Sequence, residues 1–137
     1  MKKGFTLVEL LAIIVILVIL GTISTAIYTN VQNKAKDTLY KEQLDTIERT
    51  IRRYITENEG KTVNINGNDV KLDIYTINNS FQLPMSFLLS EEYLDVIPTN
   101  PKCNKKMEGY WQLTVTKPGS YELEYKMSNT EETFCKV

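Results

Sequence analysis

Hydrophobic positions divide the chain into three regimes. In the first, every residue from Phe5 to Leu20 is apolar except Thr6 and Glu9, and the apolar character continues with interruptions to Tyr28. Residues 5–28 number 24 and as a helix would extend about 36 Å, enough to cross a hydrocarbon core of about 30 Å. In the second regime apolar residues recur at Val31, Ala35, Leu39, Tyr40, Leu44, Ile47, Ile51, Tyr54 and Ile55, at spacings of three and four that define one helical face. The opposite face carries Lys34, Lys36, Asp37, Lys41, Glu42, Asp45, Glu48, Arg49, Arg52 and Arg53, with Asp45 and Arg49, then Glu48 and Arg52, four apart as acid-then-base pairs. No proline or glycine interrupts the chain between Thr29 and Gly60, so the pattern predicts one helix from residue 5 to about residue 58, about 80 Å long, ended by Gly60. Gly21, Thr22, Ser24 and Thr25 are where that helix is expected to bend or melt locally.

Beyond Gly60 the period shortens. Val63, Ile65, Val70 and Leu72 flank Asn66-Gly67, a pair that supplies the positive φ angles of a tight hairpin turn, and residues 72–77 are expected to extend the second strand. Residues 81–96 are predicted as a short helix after Pro84, stopped by Pro98 and Pro101, which open a loop holding Cys103. Trp111, Leu113 and Val115 alternate with polar residues, as do Tyr121, Leu123 and Tyr125 after a Lys117-Pro118-Gly119-Ser120 turn. A last strand is expected over residues 132–137, with Phe134 and Cys135 in it. The expectation is an α+β chain: a long N-terminal helix, apolar then amphipathic, whose second half packs on a small antiparallel sheet of three or four strands. Its divisions are a basic leader (1–4), an apolar membrane helix (5–28), the amphipathic half of the same helix (29–59) and a globular head (60–137).

Composition narrows the chemistry. The formal charge of −1 offers no bulk attraction to nucleic acid or to acidic substrates. The local clusters Arg49, Arg52, Arg53 and Lys102, Lys105, Lys106 read as solvated faces, the second also as a possible phosphate-contacting patch for nucleic acid. The sequence has no histidine, hence neither the commonest general base nor the commonest metal ligand. Thr130-Glu131-Glu132 reads as a turn and Ser90-Glu91-Glu92 as a helix cap, so no enzyme activity, metal or cofactor is expected. Cys103 and Cys135 form no CxxC pair. Outside the cytosol they would form one disulfide, worth about 2–4 kcal/mol; inside it they would be two buried thiols.

Lys2 and Lys3 before the apolar run place the N-terminus on the cytoplasmic side and the rest outside, a single-pass topology in the cytoplasmic membrane. Glu9 is the anomaly. A charge at membrane depth costs about 2.5–3.5 kcal/mol on insertion scales, so something should offset it.

Gly4-Phe5-Thr6-Leu7-Val8-Glu9-Leu10 after a short basic leader resembles the type IV pilin superfamily of pilins and pseudopilins. The resemblance implies a pilin-like fold, cleavage between Gly4 and Phe5 by a prepilin peptidase, and N-methylation of the new Phe5 amine. It implies that Glu9 meets the Phe5 amine of a neighbouring subunit during assembly, and that the apolar helix moves from the bilayer to the core of a pilus or a secretion or competence pseudopilus. Self-association, the peptidase and methyltransferase, the assembly machinery and the membrane are then the partners, and the mature filament is extracellular or at the cell surface. The segment Tyr93-Leu94-Asp95-Val96-Ile97-Pro98-Thr99-Asn100-Pro101 resembles a pseudopilin segment, with Asn100 where an aspartate is usual. Many pilins carry a proline where Ala26 stands, and no aspartate follows Asp95 to build the calcium loop of some major pseudopilins.

A reading of another class is a secreted binding domain with an ordinary signal peptide, cleaved after the small residues Ser24-Thr25-Ala26. The embedded Glu9 and the Gly-Phe-Thr-Leu run weigh against it.

Overall fold

The computed structural model describes residues 4–135, except the side chain of Ala26. Lys2 and Lys3 of the leader, and residues 136–137 at the end of the expected last strand, lie outside the described residues. The chain divides into two units, Met1–Asp37 and Thr38–Val137, and helix α1 (Leu7–Asn58) contributes to both.

In the first unit every described side chain is exposed. The sequence predicts bending or melting near Gly21, yet α1 stays helical there. Within that stretch the Thr22 hydroxyl donates to the carbonyl of Ile19 (2.8 Å), Ser24 to Leu20 (2.7 Å) and Thr25 to Thr22 (2.9 Å). Each polar side chain is therefore satisfied by the helix that carries it.

The second unit has its own core. Ile47, Ile51, Tyr54 and Ile55 of α1 are buried with Phe81, Leu83, Met85, Leu88, Trp111, Leu113 and Val115. Those seven come from strand β3 (Ser80–Pro84), helix α2 (Met85–Ser90) and strand β6 (Tyr110–Lys117). With β7 (Ser120–Lys126) the strands form an antiparallel sheet in the order β3-β6-β7, as the period-two pattern predicts. Tyr54 meets Phe87 and Tyr93 edge-on, with ring centroids 5.7 and 4.9 Å away.

The hairpin of β1 (Thr62–Ile65) and β2 (Asn68–Lys71) forms where Asn66-Gly67 predicts it, with φ angles of 51° and 85° at the turn. Residues 72–77 do not extend β2. Asp73 accepts the backbone N–H groups of Tyr75 (2.9 Å) and Thr76 (3.3 Å) and the Thr76 hydroxyl (2.5 Å), turning the chain away from the ladder. The hydroxyl bond, then the Tyr75 amide bond, hold its carboxyl below the ordinary value.

The helix predicted for residues 81–96 is confined to α2. Phe81 and Leu83 alternate into the core as a strand, and Pro84, extended at φ −64° and ψ 148°, serves as both the last residue of β3 and the N-cap of α2. Downstream, β4 (Thr99–Asn100) and β5 (Lys105–Lys106) pair across the loop that carries Cys103.

The expected last strand is instead helix α3 (Asn129–Cys135). Ser128 and Glu131 form a reciprocal cap: the Ser128 N–H donates to Glu131 Oε1 (3.2 Å), and the Glu131 N–H donates to Ser128 Oγ (3.3 Å). Glu131 is fully buried. It also accepts from the Tyr125 hydroxyl and from Asn100 Nδ2 (3.3 Å), so neutral donors compensate its burial. Burial first, then the bond to Glu131, push the Tyr125 phenol far above its ordinary value.

Gly109 lies where the chain enters β6, and a Cβ added there would stand 2.0 Å from the backbone carbonyl oxygen of Lys126. Gly109→Ala must part β6 from the end of β7, and a loss of about 3 kcal/mol or more is expected in denaturant titrations followed by far-UV circular dichroism. The buried Tyr54 hydroxyl has no hydrogen-bond partner among the described residues. Tyr54→Phe is therefore expected to leave stability at pH 7 unchanged or raise it by about 1 kcal/mol. Burial raises the Tyr54 phenol from 10.0 to about 12. The folded chain thus holds this proton more tightly than the unfolded chain. The resulting stability is complete below pH 10.0 and is lost as pH rises towards about 12. Melting temperatures between pH 9 and 11 should fall less steeply in Tyr54→Phe than in the parent protein.

Candidate functional site

The motif residues occupy the start of α1. Gly4, Phe5 and Thr6 precede the helix, so the Gly4–Phe5 bond lies in exposed, non-helical backbone. A Cβ on Gly4 would meet nothing within 4 Å, so the fold itself does not require a glycine at this position. Phe5 and Leu7 are 82% and 83% exposed, and the apolar side chains that follow are uncovered among the described residues.

Glu9 does more at this end than its place in the sequence motif suggests. The Thr6 N–H donates to Glu9 Oε2 (3.1 Å), and the Glu9 N–H donates to Thr6 Oγ1 (3.3 Å). Thr6-Leu7-Val8-Glu9 is thus a capping box. It satisfies two of the amides that a helix start leaves open, and it sets a carboxylate at the positive end of the helix dipole. The threonine three residues before the glutamate was the signal in the sequence, hidden because both residues were already accounted for by the motif. Among the described residues, the Glu9 carboxylate accepts through Oε2.

The apolar part of α1 is long enough and apolar enough to cross a membrane, with mean hydropathy 2.9 over an 18-residue window and none of that window buried. Each aliphatic side chain left in water forfeits about 1.5–3 kcal/mol relative to burial, so this surface calls for lipid or for other helices.

The two cysteines stand in the other unit. Cys103, in the loop between β4 and β5, forms a disulfide with Cys135 at the end of α3, with Cα atoms 5.0 Å apart. Together with the Asn100–Glu131 bond it fastens α3 to that loop. The basic clusters are largely exposed, as solvated faces, and several of their side chains lie over aromatic rings. Lys102 Nζ lies 4.9 Å over the Tyr40 ring, and Lys105 Nζ lies 4.4 Å over Phe134. Arg52 binds Glu48 at 2.8 Å and lies 5.0 Å over Tyr121.

No curated protein and no solved structure matches the chain. A protein-family comparison matches its beginning, over the segment that holds Gly4, Phe5, Glu9 and the apolar helix. Residues 1–25 carry the prokaryotic N-terminal methylation motif, the prepilin signature of type IV pilins and pseudopilins.

Proposed function

We propose that this chain is a structural subunit of a type IV pilus or pseudopilus-like filament. One observation carries the reading: an uncovered apolar helix, headed by the methylation motif, with a single carboxylate in its first turn. The subunit is made as a single-pass membrane protein with its N-terminus in the cytoplasm and its second unit outside. Cleavage follows Gly4, and the new Phe5 amine is methylated. Loss of Lys2 and Lys3 with the leader takes the formal charge from −1 to −3.

Assembly then packs the apolar helices of successive subunits side by side. Copies related by displacement along an axis make heterologous contacts that do not close, and such contacts generate a helical filament. Glu9 sets the register. Its Oε2 remains on its own Thr6 amide, and its other oxygen receives the Phe5 ammonium of a neighbour. At about 4 Å and an effective dielectric near 20 that contact is worth on the order of 4 kcal/mol, enough to offset the cost of holding a carboxylate at membrane depth. The capping box contributes before any neighbour arrives, because it keeps the carboxylate hydrogen-bonded within its own chain. The secreted-domain alternative is disfavoured by the methylation motif over residues 1–25 and by Glu9 within the apolar run.

Mass spectrometry of the mature protein is expected to find an N-terminus at methylated Phe5; a start at Ile27 would replace the filament reading with that of a secreted domain. Glu9→Ala is expected to leave the protein in the membrane fraction while lowering filament yield at least ten-fold. Filaments of that variant at normal abundance, counted by electron microscopy, would remove the role given to Glu9.

A further inference from the structure

The second unit holds a groove of about 670 Å³ lined on one side by β2 and on the other by β3. Both strands are sheet edges among the described residues: β2 pairs only with β1, and β3 only with β6. In an antiparallel ladder, backbone groups point alternately towards the partner and away from it. The Met85 N–H donates to the Gly109 carbonyl (3.0 Å) in continuation of the β3–β6 register, so Leu83 and Phe81 also turn their backbone groups to β6. Ser80 and Gln82 therefore present theirs outward. Across the groove, the Leu72 N–H donates to the Lys61 carbonyl (2.9 Å), and by the same alternation Asp69 and the Lys71 N–H face outward from β2, the Lys71 carbonyl being taken by the Asp73 N–H (2.9 Å). These four residues all line the groove.

The two outer edges of the three-stranded sheet are unlike. The β7 edge carries Glu122, Glu124 and Lys126, charges of the kind that keep other strands from pairing. The β3 edge, Ser80-Phe81-Gln82-Leu83-Pro84, carries none. It stays open for about 17 Å until Pro84, which has no N–H to offer.

We propose that this groove binds an extended peptide segment, which adds as a strand between β2 and β3. The occupant is about five residues of another polypeptide with uncharged polar or β-branched side chains. It is recognised through its main chain, because the groove offers backbone donors and acceptors on both walls and short polar side chains between them. The proposal does not depend on the filament reading, since every residue it uses lies in the second unit.

The test uses the full-length, isotope-labelled protein in detergent micelles and end-blocked heptapeptides that alternate threonine with valine or glutamine. At millimolar peptide, amide hydrogen exchange at Asp69, Lys71, Ser80 and Gln82 is expected to slow at least five-fold for at least one peptide, with no change at Leu123 and Tyr125, whose backbone groups face outward from β7. The same peptide N-methylated at alternate amides should have no effect. Gln82→Pro, which removes an outward N–H, should abolish the protection while exchange along β6 and β7 stays as in the parent, and Gln82→Ala should preserve it. Failure of every peptide to slow these amides would overturn the proposal, as would equal protection by the N-methylated peptide. Protection of the same amides by maltohexaose but not by peptides would overturn it in favour of a glycan site read by side chains.

Discussion

Everything in the first unit follows from one constraint: an apolar surface that its own chain leaves uncovered. A helix placed among lipid tails or other apolar helices has no water to complete its polar groups, so each must find a partner within the helix. That condition is met residue by residue. Thr6 and Glu9 satisfy each other at the start of α1, the hydroxyls of Thr22, Ser24 and Thr25 return to carbonyls behind them, and the Tyr28 hydroxyl accepts from Gln32 (2.6 Å). The segment is prepared for a nonpolar surrounding without being apolar throughout.

The same local device appears twice with opposite surroundings. Thr6 with Glu9 and Ser128 with Glu131 are both capping boxes, each closing a helix start with a glutamate three residues along. Glu9 is exposed and Glu131 is fully buried. At Glu131 further neutral donors, the Tyr125 hydroxyl and the Asn100 amide, close every approach, and the carboxylate becomes a fixed joint between α3, β7 and the β4–β5 loop. At Glu9, among the described residues, the bonds to the carboxylate engage one oxygen only. Local sequence supplies the cap, and the surroundings decide whether it also becomes a contact.

Much of the fold was legible in the sequence wherever a pattern ran long enough to repeat. The helix of α1, the Asn66-Gly67 turn and the alternation of Trp111, Leu113 and Val115 each had several residues in agreement. The errors fall where a short segment offered two readings. Phe81 and Leu83 alternate only across a five-residue strand, and Pro84 looked like the start of a helix that drew the whole segment with it. The strand expected around Phe134 and Cys135 goes with the reading of Thr130-Glu131-Glu132 as a turn, where Glu131 instead caps a helix with Ser128. The groove between β2 and β3 had no counterpart in the sequence, because it depends on which strand edges remain unpaired after residues far apart in the chain have met. Gly4, Phe5 and Glu9 were legible for a different reason: they form a contiguous motif, and the structure adds only the bond geometry around them.

Trp111 gives the molecule an optical property. It is the sole tryptophan, is 2% exposed, and lies with its ring centroid 5.5 Å from that of Tyr125. Its indole N–H has no hydrogen-bond partner among the described residues, a nonpolar setting that favours emission at short wavelength. Residues 5–28 hold no tryptophan at all. Intrinsic fluorescence excited at the indole band therefore reports on the seam between sheet and amphipathic helix and is silent about the apolar segment, so the state of the second unit can be followed while the first is in micelle, bilayer or assembly.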